Sequence, residues 1–229
     1  MKLFELAFAC HVYNGMTNFN KAYKDFLDKT NHDLDMGNEN HREALLEWLN
    51  KWGNRLEGES HTEISKKLKS WYDEYERLLT LKTGKQLLDF SDKEIDGAGK
   101  AYDTLAKITF ICSTAKGKGH RQIGHTCASK ILFALRKDVY PIWDDAMRKK
   151  YSSEGCSTYS EYMKQSREEL QELNEECQRN GIELSELPSL LDREGESLLK
   201  LLDEYRWVFI TRKVVLPSVE LQKWYQWAR

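Results

Sequence analysis

The sequence predicts an all-α fold, on three observations. Apolar residues recur at helical spacing along nearly the whole chain, only Pro141, Pro188 and Pro217 punctuate it, and the β-branched and aromatic run Trp207-Val208-Phe209-Ile210 stands isolated. At 229 residues the chain can bury a substantial core. It shows neither an internal repeat nor a low-complexity linker, so 1–229 reads as one domain, with 53–60 and 152–157 as loops inside it.

Each helix follows from local patterning. Residues 2–13 are apolar enough for a buried helix, and 18–27 form a second with Asn18 placed to cap it. Over 38–56, Leu45, Trp48, Leu49 and Trp52 share a face, and over 62–81 Ile64, Leu68, Trp71, Tyr72, Tyr75 and Leu78 do. The next helix, 92–112, carries Ala101, Leu105, Ile108 and Cys112 on one side, with Gly97 and Gly99 expected to delay its start. Residues 128–135, with Ala128, Ile131, Leu132 and Leu135 in register, make a further helix. Residues 159–180 form a highly charged helix stopped by Gly181, and 187–206 another, lined by Leu190, Leu191, Leu198, Leu201 and Leu202. Trp207 to Ile210 is its buried end, and 218–227 close the chain as a short helix.

Composition removes several functional classes. Hydrophobic residues at 40% and charged residues at 31% are ordinary for a globular chain. No apolar run approaches the roughly 20 residues of a membrane span. Met1-Lys2-Leu3-Phe4-Glu5 lacks the apolar core of a secretory signal, so a cytoplasmic location is expected. Cys10, Cys112, Cys127, Cys156 and Cys177 are odd in number and scattered, which suits reduced, buried thiols. His120, His125 and Cys127 lie close together without a fourth ligand, so neither metal nor cofactor is expected. Most of the seven tryptophans and eleven tyrosines fall at core positions of helices.

The formal net charge of −2 conceals two opposed blocks. Residues 116–151 hold nine Lys/Arg against three Asp, a net of +6, whereas 154–206 hold six Lys/Arg against fourteen acids, a net of −8. A local basic stretch in an acidic chain suits phosphate contact without indiscriminate binding. Inside it, Lys116-Gly117-Lys118-Gly119-His120-Arg121 reads as a glycine-bearing loop, followed by a Gln122-Ile123-Gly124-His125 turn into a helix. A glycine turn opening a helix presents unpaired N–H groups to anions. Past that helix come Pro141, Trp143, Asp144 and Asp145.

This segment resembles the helix-hairpin-helix signature of the DNA glycosylase superfamily, which includes endonuclease III, MutY-type adenine glycosylases and 8-oxoguanine glycosylases. The hairpin pattern falls on His120 to Ala128: Gly124 matches its second glycine, Ile123 the intervening apolar residue and Ala128 the helix alanine. Arg121 and Gln122 replace the usual proline and first glycine, and the four-cysteine iron–sulfur loop of some members is missing. Tyr140-Pro141-Ile142-Trp143-Asp144 is similar to the stretch that brings the family's catalytic aspartate to the start of the next helix.

The resemblance implies a bundle of two packed helical lobes, with the hairpin (within 115–150) and a cleft between them. It also implies a DNA partner whose target nucleotide is extruded into a pocket. The hairpin would hold phosphates through Gly119, Gly124 and neighbouring N–H groups, with Lys116, Lys118, His120, Arg121 and His125 beside them. Asp144 would be the anion that stabilises positive charge on the deoxyribose as the N-glycosidic bond breaks. Thr126 stands where lyase-competent members carry the Schiff-base lysine, which implies a monofunctional enzyme unless Lys130, one turn on, takes that part.

Alternatives stay open at several positions. Asp145 competes with Asp144, or caps the helix starting near Ala146; capping is also the structural reading of Asp144. Trp143 either walls the pocket or plugs a helix junction, and Thr126 either caps or hydrogen-bonds in the pocket. The excised base is open too: damaged bases suit a repair role, and a modified base in invading viral DNA suits a defence role. A non-catalytic helix-hairpin-helix DNA-binding protein is the second reading. A scaffold whose acidic 154–206 segment binds another protein is the third.

Overall fold

Ten α-helices and one two-stranded sheet form among the described residues of the computed structural model, which are 1–54, 56, 60–79, 84–114 and 117–216, the side chains of 60 and 112–118 excepted. The first four helices are α1 (Leu3–Met16), α2 (Phe19–Lys29), α3 (Glu39–Lys51) and α4 (Ser60–Tyr75). Asn38 caps α3 by accepting the Asn40 N–H at 3.0 Å. Asn18 stands at the N-cap of α2 but makes no capping bond; the Thr17 hydroxyl accepts the Phe19 N–H instead.

Helix α5 (Asp92–Ala106) starts without the delay expected from Gly97 and Gly99, because Ser91 and Glu94 close a reciprocal capping box. Gly99 serves packing. A Cβ there would lie 2.0 Å from Ser160 Oγ and 3.3 Å from Ser160 Cβ, where α8 (Tyr159–Arg179) crosses. Gly99→Ala is therefore expected to cost about 1–3 kcal/mol in a denaturant melt, the usual range for overpacking. Ser160→Ala in the same chain should recover most of that loss. An unchanged midpoint in Gly99→Ala would contradict the close crossing.

The principal correction lies just beyond α5. The expected helix 92–112 stops at Ala106, and the expected glycine hairpin of a helix-hairpin-helix does not form. Thr109–Thr114 (β1) and Gly117–Gln122 (β2) pair instead as an antiparallel ribbon, Phe110 opposite Arg121 and Ile111 opposite His120. Thr109, Phe110, Ile111 and Thr114 favour extended backbone, and this local preference outweighs the helical spacing of Ile108 and Cys112. The Lys67 ammonium donates to the Thr109 carbonyl at 2.6 Å and Glu63 accepts the Ile111 N–H at 3.3 Å, fastening β1 to α4.

After the ribbon come α6 (His125–Leu135) and α7 (Asp145–Ser153). Helix α8 ends as expected at Gly181, whose φ of +68° supplies the left-handed stop. The expected helix 187–206 is split into α9 (Leu187–Leu190) and α10 (Leu198–Arg206). Asp192 and Gly195 take positive φ in the break, and Ser197 caps α10 by accepting the Lys200 N–H. Trp207–Thr211 continues α10 as a π-helical turn, with Val208 buried. The expected helix 218–227 lies outside the described residues.

One continuous apolar cluster runs from Leu3 to Leu202. Polar residues of α10 are sunk into the interior with it: Lys200 and Glu204 are 0% exposed, Arg206 1% and Asp203 6%. Each of the first three is paired, as burial requires. Lys200 Nζ meets Glu204 Oε1 at 3.1 Å and lies 4.4 Å from the centre of the Tyr13 ring. Arg193 reaches Glu204 at 3.2 Å. Arg206 donates to Tyr151, Tyr162 and Ser166 at 2.7–3.0 Å and pairs with Glu169 at 3.1 Å. No described helix is long and apolar enough to cross a membrane.

Candidate active site

The ribbon fixes where α6 begins. At its base the Ile123 N–H donates to Ile108 O at 2.9 Å and the Gly124 N–H to Ala106 O at 3.0 Å, bringing the end of α5 against the start of α6. Gly124 makes the turn with φ +78°, a conformation that favours glycine. No side chain caps α6, and among the described residues nothing accepts the N–H groups of His125, Thr126 or Cys127. A helix start in this state carries partial positive charge and favours anions.

His125 is exposed and Thr126 half-buried at this terminus, whereas Cys127 is buried, its thiol pushed up to about 12 by that burial. The Tyr102 hydroxyl lies 3.1 Å from His125 Nδ1 and 3.2 Å from its carbonyl oxygen. Partial desolvation of the ring, then the Arg148 charge, hold the His125 imidazole below its ordinary range. Arg148 of α7 thus stands within electrostatic reach of the α6 terminus. The sequence reading did not single it out.

The other expected phosphate contacts are placed differently. Lys118 and Gly119 belong to β2, opposite Ser113 and Cys112, while His120 and Arg121 are exposed residues of the same strand. Lys116 lies outside the described residues. The basic stretch therefore divides between a ribbon and a helix terminus rather than forming one glycine loop.

Asp144 is tied to α6 through its neighbour in the chain. The Trp143 N–H donates to Ser129 Oγ at 2.9 Å, and Ser129 Oγ donates to the Thr126 carbonyl at 3.0 Å. Two hydrogen bonds thus join the first turn of α6 to the residue before Asp144. Asp144 is half-buried at the N-cap of α7, where Oδ1 accepts the Met147 N–H at 2.8 Å and Oδ2 accepts the Thr211 hydroxyl at 2.9 Å. Ile210 and Arg212, which flank Thr211, line two separate grooves of about 1030 and 560 Å³. Asp145 is the first residue of α7 rather than its cap. It is exposed, and the Lys149 ammonium at 2.8 Å lowers its pKa.

Trp143 is 3% exposed and stacks on Tyr162 at 5.0 Å, with Tyr102 and Tyr159 about its ring, which is the junction-plug arrangement. Its indole N–H has no hydrogen-bond partner among the described residues. Lys130 is 9% exposed, donates to the Trp52 carbonyl at 2.9 Å and lies 5.4 Å from the Trp52 ring centre. Burial lowers its pKa, while Asp203 and Asp144 are near enough to act against that shift. Among the described residues no cluster of His, Cys, Asp and Glu could hold a metal ion.

No family model, curated protein or solved structure matches this chain.

A fixed carboxylate, a buried amine and an uncapped helix start can together stabilise a cation, shuttle a proton and hold a phosphate. Thr211 was missed in the sequence. It lies near the C-terminal end of the described chain, and only the fold brings it to Asp144.

Proposed function

We propose that the chain is a DNA glycosylase that hydrolyses the N-glycosidic bond of a modified or damaged base extruded from the duplex, without a lyase step. One observation carries this reading: the Asp144 carboxylate is held by two donors, and its segment is hydrogen-bonded to the first turn of an uncapped helix. An extruded nucleotide needs such a pair, an anion beside C1′ and a grip on the adjacent phosphate. The β-ribbon replaces the hairpin implied by the family resemblance, so the proposal rests on α6 and Asp144 and not on a hairpin. Lys118, His120 and Arg121 would follow the backbone from the ribbon, and Gly124 and His125 from the helix start.

Thr126 at the Schiff-base position favours water as the nucleophile. The buried, pKa-lowered Lys130 favours a second reading, in which its amine attacks C1′ and a lyase step follows. Incubation with duplexes carrying oxidised, deaminated, alkylated, mismatched or hypermodified bases, with borohydride added, separates the two. The first reading expects free base and no trapped covalent complex. The second expects a trapped complex that is lost in Lys130→Met. Tight, salt-sensitive binding with no free base would instead indicate a DNA-binding protein.

Arg148 supplies a test of the grip. Arg148→Gln should weaken binding to all duplexes alike and reduce the slope of log affinity against log salt by roughly one, as for a lost phosphate contact. An unchanged slope would take Arg148 out of the interface.

A further inference from the structure

The π-helical turn after α10 contributes to two grooves, Phe209 and Ile210 to one and Trp207 to the other, and the two linings differ in charge. The larger, of about 1030 Å³, carries four carboxylates against three lysines. The smaller, of about 560 Å³, carries Lys21, Lys51 and Arg212 against Asp25 alone. These three cations come from α2, α3 and the stretch after the π-turn, so the fold gathers them and no local run does. Lys51 already meets Asp25 at 3.5 Å, whereas Lys21 and Arg212 have no carboxylate partner among the described residues. Cations concentrated in this way, in a chain of net charge −2, favour a bound anion.

The same groove has an aromatic side. Phe19 and Trp207 line it, meet edge to face at 6.2 Å and are each half-buried, so part of each ring stays open. The Arg212 guanidinium lies 5.2 Å from the Trp207 ring centre, which sets charge and ring side by side. The Asn18 amide, which makes no capping bond, adds a donor and an acceptor to the lining. We propose that this groove binds an unpaired nucleotide of a DNA strand, its phosphate on Lys21 and Arg212 and its base against Phe19 and Trp207. Cations that follow a backbone, beside rings on which bases stack, are the two requirements of single-strand contact. A groove of about 560 Å³ has the size of a small-molecule site, enough for one nucleotide and too small for a duplex. This rests on the DNA partner of the proposed function and not on base release. Arg212 directly follows Thr211, whose hydroxyl donates to Asp144 at 2.9 Å. That continuity favours a nucleotide of the strand that Asp144 serves over a free nucleotide.

The test is a fluorescence-anisotropy titration of the full chain, over a range of salt, with two labelled duplexes of one sequence. One is fully paired and the other carries a single unpaired nucleotide. The wild type should bind the second about 10-fold more tightly, the effect of one stacked base. Lys21→Gln and Arg212→Gln, combined in one chain, should lower the slope of log affinity against log salt on that duplex by about 0.7 for each cation lost. The slope on the paired duplex should not change. Both side chains are exposed, so this variant keeps the fold. Trp207→Leu should erase the preference for the unpaired nucleotide. That ring also packs on Tyr13 at 5.1 Å, so circular dichroism checks its fold, and the charge variant decides if it unfolds. Equal wild-type affinity for the two duplexes, or an unchanged slope in the charge variant, overturns the groove site and leaves the α6 grip to the Arg148→Gln result. Failure of the wild type to bind either duplex at low salt overturns the DNA reading, and this site with it.

Discussion

Asp144→Asn is expected to reduce base release by about 10²–10³-fold or more, the loss typical when one fixed electrostatic group is removed from a transition state. The substitution is unusually clean. Asparagine is as good an N-cap as aspartate, so its side-chain oxygen can still accept the Met147 N–H that opens α7. Its other atom still faces Thr211. What disappears is the negative charge. Thermal stability and affinity for duplex should therefore stay near wild type while single-turnover release collapses. Asp144→Ala would confuse the matter, because losing the cap alone costs about 1 kcal/mol. If Asp144→Asn releases base at the wild-type rate, Asp144 is a structural cap and nothing more.

The largest expected effect on stability is at Arg206. Its guanidinium donates to Tyr151, Tyr162 and Ser166, pairs with Glu169, and lies 5.1 and 4.7 Å from the centres of the Tyr151 and Tyr162 rings. Arg206→Met keeps most of the volume but leaves Glu169, two phenols and a hydroxyl without their shared partner. Breaking a buried pair from one side typically costs about 3–5 kcal/mol, a large part of the 5–15 kcal/mol that holds an ordinary domain together. Urea unfolding of the variant should show a loss in that range, with an unchanged slope if folding stays two-state. A loss below about 1 kcal/mol would mean that the network is already hydrated, contrary to its burial.

The sequence disclosed the parts of this fold that depend on neighbours in the chain. The apolar stripes of α3 and α4, the Gly181 stop and the helix after Pro141 all follow from spacing or from one special residue. The ribbon was hidden because Ile108 and Cys112 happen to continue the period of α5, while Thr109 to Thr114 carry an extended preference of their own. The break before α10 was hidden because the leucines keep step on both sides of it. Lys200, Asp203, Glu204 and Arg206 read locally as a solvated face. Arg206 is buried because partners 40–55 residues distant, Ser166, Tyr162 and Tyr151, close over it, and Lys200 and Glu204 because Tyr13, Asn20 and Arg193 meet them.

The candidate site divides along the same line. Asp144 was legible from its place after a proline and before a helix, and Gly124 from its place before α6. Thr211 and Arg148 depend on how α7 and the turn after α10 pack, which no local pattern encodes. Trp143 shows the reverse case. Its position in the sequence left pocket wall and junction plug equally open, and three tyrosines from α5 and α8 absorb it into the interior.

The central claim is that the Asp144 carboxylate, whose segment is bonded to α6, acts in breaking a bond between base and sugar. Mass spectrometry of the small-molecule fraction after incubating the full chain with the modified-base duplexes tests it most directly. The account predicts an intact free base from at least one duplex, an equal amount of abasic strand, and release of both slowed by about 10²-fold or more with Asp144→Asn. Duplexes retained by the protein at moderate salt with no free base from any of them would contradict it.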